Sequence, residues 1–246
     1  KALTNFSAET VEKGLRIMRN QQGCMHKMIY SARADKLVMG HEAALFRFNV
    51  GRKLAQEHPV EADIVVAIPE SGKFNAEGYA AELKIPYVSG MIRDYYTERT
   101  FFEPSLQVRN SALEQKLIPI FGFINDKKIV VVDEAIVTGT TMAVAVDKLK
   151  RAGTKEIHVR IPAPPMIYNC ENRVLAGVIS PGKDLLGKQY SEEIKEIEDG
   201  LCERFGLNSL KFLSMQGFLS CLNPENKHKP CVECFLGGKN VRNYKA

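Results

Sequence analysis

The sequence predicts an α/β fold with a mostly parallel sheet flanked by helices. Short aliphatic runs at 63–68, 129–132 and 156–161 read as buried strands, and segments of helical periodicity lie between and around them. Strands alternating with helices are the signature of a parallel sheet, because parallel neighbours need a crossover. Two of the runs also stop abruptly in polar residues, Pro69-Glu70-Ser71-Gly72 and Asp133-Glu134. In open α/β sheets ligands bind beyond the carboxyl ends of the strands, so these two stops are where chemistry is expected.

Taken in order, residues 9–20 read as a short amphipathic helix and 40–58 as a longer one that ends before Pro59. The strand at 63–68 is followed by a helix at 76–83 and a second strand at 85–88. Residues 93–109 are polar and aromatic with weak periodicity, which predicts a long loop. The strand at 129–132 leads to a helix at 141–152, stopped by Gly153. The strand at 156–161 ends at Pro162-Ala163-Pro164-Pro165. From about Pro181 the pattern is helical with no clear strand, with helices expected at 191–204 and 208–222. The tail, 223–246, is rich in Asn, Lys and Gly around a Cys pair. The organisation expected is one domain over 1–246: an N-terminal segment (1–40), an α/β core (41–180) and a helical C-terminal region (181–246).

A chain of 246 residues can bury a sizeable core without covalent staples. Its net charge of +5 comes from basic residues spread among acids, not gathered into a patch, so no nucleic-acid partner is expected. No apolar run is long enough to span a bilayer, and the polar start does not resemble a signal peptide. No membrane partner and a cytoplasmic location are therefore expected. The chain opens on Lys1, not Met, which reads as a fragment or a processed product. Without a secretory signal, the six cysteines point to metal or cluster ligation before disulfides.

The stretch KKIVVVDEAIVTGTTMA, 127–143, carries the densest chemistry. Two like charges at a strand tip raise the energy unless a cation or hydroxyl groups satisfy them. Thr138-Gly139-Thr140-Thr141 then offers hydroxyls, amide N–H groups and a glycine that permits close approach, at the start of a helix whose dipole favours an anion. Carboxylates for hydroxyls or Mg²⁺, beside donors for a phosphate, match a sugar phosphate. The plainer reading is a solvated strand-to-helix turn with a Thr cap. A P-loop and a dinucleotide fingerprint are both absent.

Val130 to Thr141 resembles the phosphoribosyl pyrophosphate (PRPP) signature of type I phosphoribosyltransferases, and more narrowly that of the amidophosphoribosyltransferase family. Ala32-Arg33-Ala34-Asp35, Ile68-Pro69-Glu70-Ser71-Gly72 with Gly78-Tyr79, Arg99-Thr100-Phe101 with Tyr96 and Pro104, His158 to Ile161 with Pro164-Pro165, and Asn208 to Ser214 resemble further segments of that family. The likeness implies a type I phosphoribosyltransferase fold and an enzyme that transfers ammonia or another amine to C1 of phosphoribose, releasing pyrophosphate, in purine synthesis or a related pathway. It implies that Asp133 and Glu134 hold the ribose hydroxyls, directly or through Mg²⁺. Thr138, Gly139, Thr140 and Thr141 would grip the 5′-phosphate. Ser71 and Gly72 would bind pyrophosphate, Ser71 near the metal. Arg99 would join the catalytic residues from a loop, 93–104, that closes over the site.

The same resemblance implies a [4Fe–4S] cluster on Cys24, Cys170, Cys231 and Cys234, with Zn²⁺ as the alternative, tying a helical C-terminal extension to the core. It implies a homo-oligomer and a glutaminase domain or subunit as partner. No glutaminase segment is present in this sequence, so the chain is not expected to hydrolyse glutamine itself. Departures from the family pattern bear on the nucleophile. The family has Arg where Thr138 stands, Lys-Asn-Arg-Tyr at 93–96, different residues at Leu106, Glu114 and Ile118, and Asp at Glu70 and Glu134. A transferase for a different nucleophile, a non-catalytic PRPP sensor or regulatory subunit, and a structural cluster protein are the alternatives.

Other residues are expected to be ordinary. His26 reads as a surface residue, and His41 and His158 have no partner visible in sequence. The Lys/Glu run at 191–203 reads as a solvated helix face. Cys202 and Cys221 read as plain thiols on helices, and Tyr95, Tyr96, Phe101 and Phe102 as packing residues of the loop.

Overall fold

The computed structural model describes residues 23–94, 116–166, 190–223 and 230–236. A π-helical turn, Lys27–Ser31, leads into a hairpin of β1 (Leu37–Val38) and β2 (His41–Glu42). There follow α1 (Ala43–Glu57), β3 (Ile64–Ala67), α2 (Lys73–Leu83), β4 (Met91–Arg93), β5 (Leu117–Pro119), α3 (Phe121–Ile124), β6 (Lys128–Val132) and α4 (Thr140–Arg151). The rest is β7 (Glu156–Ile161), α5 (Tyr190–Phe205), β8 (Ser209–Phe212), α6 (Met215–Ser220) and α7 (Glu233–Leu236). β3, β6, β7 and β8 form one parallel sheet in that spatial order, and β4 pairs with β5 as a separate antiparallel ribbon.

Strands of a parallel sheet covered on both faces should be apolar throughout, with successive side chains entering opposite cores. Val65, Ala67, Val130 and Val132 join one core with α1, α2, α6 and α7. Val66, Ile129, Val131, Ile157 and Val159 join the other with α4 and α5. The helix pair α1–α2 is packed backbone against backbone. A Cβ on Gly78 would lie 2.0 Å from the Phe48 carbonyl oxygen, and one on Gly51 would lie 2.1 Å from that of Asn75. This contact holds α2, and so the loop that feeds its first turn, in place over the ends of β3 and β6.

Several sequence expectations are corrected. The C-terminal region is not wholly helical: β8 adds a fourth strand, with Leu210 and Phe212 facing the core. Its alternating burial is the two-residue period of a strand, and the helix expected at 208–222 shrinks to α6, capped by Ser214 accepting from Gly217 N–H at 2.9 Å. The helix expected from 40 starts at Ala43, because Met39 and Gly40, both at positive φ (50° and 75°), make the tight turn of the β1–β2 hairpin. The strand expected at 85–88 is a single bridge, Tyr87 to Val65, since Pro86 has no N–H to extend a ladder. Within the run at 191–203, Glu198 faces inward and accepts from Lys211 Nζ at 2.6 Å and Phe212 N–H at 3.0 Å. The expected helices at 9–20 and the first part of 191–204 touch residues or side chains outside the described set.

The C-terminal segment is tied to the core. Cys231 N–H donates to the Gly23 carbonyl at 2.6 Å, and Met25 N–H donates to the Cys231 carbonyl at 3.2 Å. Phe218 stacks edge-on between Phe46 and Phe235, with centroids 5.8 and 5.7 Å away. Backbone pairing and apolar packing therefore make this tie among the described residues.

Candidate active site

β3 and β6 are sheet neighbours in register, Ala67 opposite Val132, so their carboxyl ends emerge side by side. Ile68 N–H extends the ladder to the Val132 carbonyl at 2.9 Å. The chain then turns through Pro69–Glu70, a cis peptide, and Gly72 N–H closes the turn on the Ile68 carbonyl at 3.0 Å. Gly72 lies against the tip of β6: a Cβ there would be 2.4 Å from the Val132 carbonyl oxygen and 3.1 Å from Asp133 Cα. Only glycine permits that approach, and it brings Ser71 to Asp133, with Oγ–H donating to Oδ1 at 3.3 Å.

Asp133 and Glu134 are both buried. Burial first, and the Glu134 carboxylate second, hold the Asp133 carboxyl well above its ordinary 3.8; Glu134 N–H, which donates to Asp133 Oδ1 at 2.9 Å, and the Ser71 hydroxyl act the other way. Glu134 Oε2 is buried and accepts no hydrogen bond from the described residues. A buried carboxylate oxygen without a donor is costly, and a cation or a ligand hydroxyl removes that cost.

Next to the acids, Thr138 and Thr140 hydroxyls lie 3.1 Å apart, and Thr140 N–H points to Thr138 Oγ1 at 3.5 Å. Gly139 takes φ 77° just before α4, with the Phe205 ring 2.9 Å from where its Cβ would be. The amino end of a twelve-residue helix thus faces the same space as the carboxylates. A cavity of about 280 Å³ joins them, lined among others by Ser71, Asp133, Glu134, Thr138, Gly139 and Thr141; Gly72 and Thr140 are not among the lining residues.

Two polar lining residues, Tyr30 and Lys116, carry no expectation from sequence, and a third, Arg93, is expected only as the start of the closing loop. Burial, then the charges of Glu134 and Asp133, push the Tyr30 phenol above its usual range, so it stays a proton donor at neutral pH. Its only sequence signal is an aromatic two positions before the Ala32-Arg33-Ala34-Asp35 segment. Arg93 ends β4 and Lys116 immediately precedes β5, and 22 positions of sequence lie between them, so no local spacing could pair them.

The cysteine segments converge in part. Cys24 and Cys231 form a parallel bridge, Lys27 N–H donates to Cys24 Sγ at 3.4 Å, and Cys234 is buried on α7. Among the described residues no group of three or more His, Cys, Asp or Glu side chains is arranged to hold a metal. Cys170 lies outside the described residues, as do Arg99 and the expected loop beyond Asp94. His26 is a correction: it is buried, stacked on Tyr30 at 4.9 Å, with no hydrogen bond on either ring nitrogen among the described residues, and burial lowers its pKa to about 4. His41 lies in β2 and accepts from Asn223 N–H at 3.1 Å.

Comparison with known proteins agrees with this geometry. The chain is 38% identical over 221 residues to amidophosphoribosyltransferase 1, chloroplastic, of Arabidopsis thaliana, covering 89% of this chain and 37% of that protein. It is 35% identical over 216 residues to amidophosphoribosyltransferase of Mycobacterium tuberculosis, covering 88% of this chain and 40% of that one. The solved structure of glutamine PRPP amidotransferase from B. subtilis, complexed with ADP and GMP, superposes with a TM-score of 0.70 at 33% identity, over 87% of this chain and 46% of that chain. The chain thus spans about two fifths of the length of the curated relatives it matches. No helix among the described residues is long and apolar enough to cross a membrane. With residues 42–165 matching the profile of the phosphoribosyl transferase domain, and with the acid pair and Thr loop inside that span, the chain belongs to the phosphoribosyl transferase domain family.

Proposed function

We propose that this chain is the PRPP-using domain of an amidophosphoribosyltransferase-type enzyme, which joins ammonia or another amine to C1 of phosphoribose and releases pyrophosphate. The observation that carries the reading is the buried Asp133–Glu134 pair at the tip of β6, with Glu134 Oε2 lacking a donor among the described residues, beside the amino end of α4. In this reaction the nitrogen lone pair forms a bond to C1, the C1–O bond to pyrophosphate breaks, and its electron pair leaves with pyrophosphate. The amine then loses a proton. Positive charge builds on the ribose ring on the way.

Asp133 and Glu134 accept hydrogen bonds from the ribose hydroxyls, and their negative charge lies where the sugar becomes cationic. Thr138, Thr140 and Thr141 offer hydroxyls to the 5′-phosphate, at a helix end that favours an anion. Ser71 donates its hydroxyl to pyrophosphate; the Gly72 amide is engaged by Ile68, so Gly72 contributes close approach. Mg²⁺ bound with PRPP would neutralise the leaving pyrophosphate, and Ser71, Asp133 and Glu134 are the residues that would hold it. Arg99, on the loop at 93–104, completes the proposed catalytic set. Excluding water from the sugar is the role of that loop in this reading.

The finer parts belong to the same proposal. Cys24, Cys170, Cys231 and Cys234 would hold a [4Fe–4S] cluster or Zn²⁺; the pairing of Cys24 with Cys231 supports the first two sides of such a site. A glutaminase domain or subunit would supply ammonia, in a homo-oligomer, and the cytoplasm is the proposed location. The test is pyrophosphate release from PRPP and Mg²⁺ with ammonia as nucleophile, alongside calorimetric binding of PRPP. Turnover is expected. Tight binding without turnover for any amine would favour a PRPP sensor, and absence of both would sink the PRPP reading. Metal analysis of anaerobically purified protein separates iron–sulfur from zinc.

A further inference from the structure

We infer that Arg47 is a positioning residue of this site: it holds the turn that carries Tyr30 in the cavity wall, and through its charge it is coupled to Glu134. This rests on the PRPP reading above and assigns a group that reading does not use. Arg47 lies on α1 and is buried. Its Nε–H donates to the Met28 carbonyl at 3.2 Å and its Nη2–H to the Ala32 carbonyl at 2.7 Å. Those carbonyls stand two residues before and two residues after Tyr30, so the guanidinium spans the turn from end to end. The turn is π-helical, closed by Ala32 N–H on the Lys27 carbonyl at 2.8 Å, and helix ends leave carbonyls that need outside donors. One planar fork meets two of them at once, which an ammonium on a flexible stem does not reproduce.

The second half concerns charge. Asp133 has the Ser71 hydroxyl and the Glu134 amide as donors, whereas Glu134 Oε2 has none among the described residues. Burial lowers the Arg47 pKa, and the Glu134 carboxylate opposes that shift. The Arg47 charge thus acts on Glu134 without donating to it among the described residues, and Glu134, a lining residue of the cavity, keeps an oxygen for a ribose hydroxyl. A role limited to holding the N-terminal turn would not depend on the charge of Glu134, and this separates the two accounts.

The test is a double-mutant cycle on the full chain, read by calorimetric titration with PRPP and Mg²⁺, with thermal melting to confirm folding. Arg47→Met is expected to weaken PRPP binding by about tenfold or more in the native background, and by about threefold or less when Glu134→Gln is already present. Arg47→Lys is expected to recover part of the loss, because the charge survives while the two-carbonyl grip does not. Equal losses in both backgrounds would overturn the inference. If Arg47→Met does not fold, Arg47→Gln, which keeps a donor and loses the charge, forms the same cycle with Glu134→Gln and decides by the same criterion. No PRPP binding by the unmodified chain overturns the proposed function and this inference together, whereas binding with an additive cycle overturns this inference alone.

Discussion

Two buried polar clusters lie one register position apart on the sheet, and they are built on opposite rules. Val132 pairs with Arg160 in the β6–β7 ladder, and Asp133 is the next residue. Around Arg160 the donors are matched: Nε–H to the His58 carbonyl at 3.0 Å, Nη1–H to the Val159 carbonyl at 2.9 Å and to Ser209 Oγ at 3.0 Å. Tyr79 O–H reaches the same His58 carbonyl at 2.8 Å, and His158 Nδ1 lies 2.9 Å from Ser209 Oγ. Around Asp133 and Glu134 two like charges are placed together, and one buried oxygen has no donor among the described residues. A satisfied buried network fastens β7 and β8 to α1. An unsatisfied one lowers the stability of the ligand-free chain and marks the place where a ligand completes the set.

The comparison is broken most sharply at the acids. Asp133→Asn is expected to lower turnover by about 10²–10³-fold, the scale seen when one preorganised charge-stabilising group is removed from a reacting centre. Pyrophosphate release under saturating PRPP checks it; retention of more than a tenth of native turnover would remove Asp133 from the catalytic set. The same substitution removes one of two like buried charges placed side by side, so the ligand-free chain should melt no lower than the native one.

Arg160→Leu is expected to do the reverse. It leaves the His58 carbonyl and the Ser209 hydroxyl short of donors, and the loss of stability should be about 2–5 kcal/mol. Denaturant unfolding measures it, and PRPP affinity in the folded fraction should change little. A variant as stable as the native chain would show that this network contributes specificity of packing and not free energy.

The two clusters also differ in how well they can be read from sequence. The acid pair was legible because β6 is a regular strand: five residues of uninterrupted pattern fix where it stops, and the stop is the site. The Ser71 loop was legible for the same reason at β3. Arg160 and His158 were not, since their partners, His58 and Ser209, arrive from distant elements through side chains. β8 was missed because its four residues sit between helical stretches and show their period only once Leu210 and Phe212 have a core to face. Tyr30 was missed because what aims it is Arg47, 17 positions later on another helix. The cysteines were visible by residue type, while the packing that seats Cys231 and Cys234, through Phe218 and Phe235, was not.

A smaller effect tests the electrostatics of the acid pair without any ligand. Asp133 has a folded-state pKa raised above the ordinary 3.8, mainly by burial and next by Glu134. The folded state then holds this proton more tightly than the unfolded chain does. Its contribution to stability is full below the unfolded value and is lost as pH rises through the folded one. From pH 4 upward the ligand-free chain should therefore lose stability from this group, with Asp133→Asn removing that component of the slope. Melting temperatures of both proteins across the range measure the difference. Identical slopes would mean that Asp133 is not strained in the ligand-free chain, and the contrast with the Arg160 cluster would fall.

The smallest expected effect is at Thr138, where the family resemblance has an arginine. The cavity already sets two basic residues, Arg93 and Lys116, among the lining groups that include Thr138. Thr138 is itself exposed, and its hydroxyl is shared with Thr140. Thr138→Arg would add a forked donor for a phosphate while removing one hydroxyl from the loop. An exposed charge gains less than a buried one, so PRPP affinity should rise by only about two- to fivefold, and the gain should shrink at high salt. Calorimetry at two ionic strengths reads both quantities. A fall in affinity would mean that the paired Thr138 and Thr140 hydroxyls already grip the phosphate better than an arginine can. The threonine would then be an adapted part of this loop, and the shortage of donors in the site would be confined to Glu134.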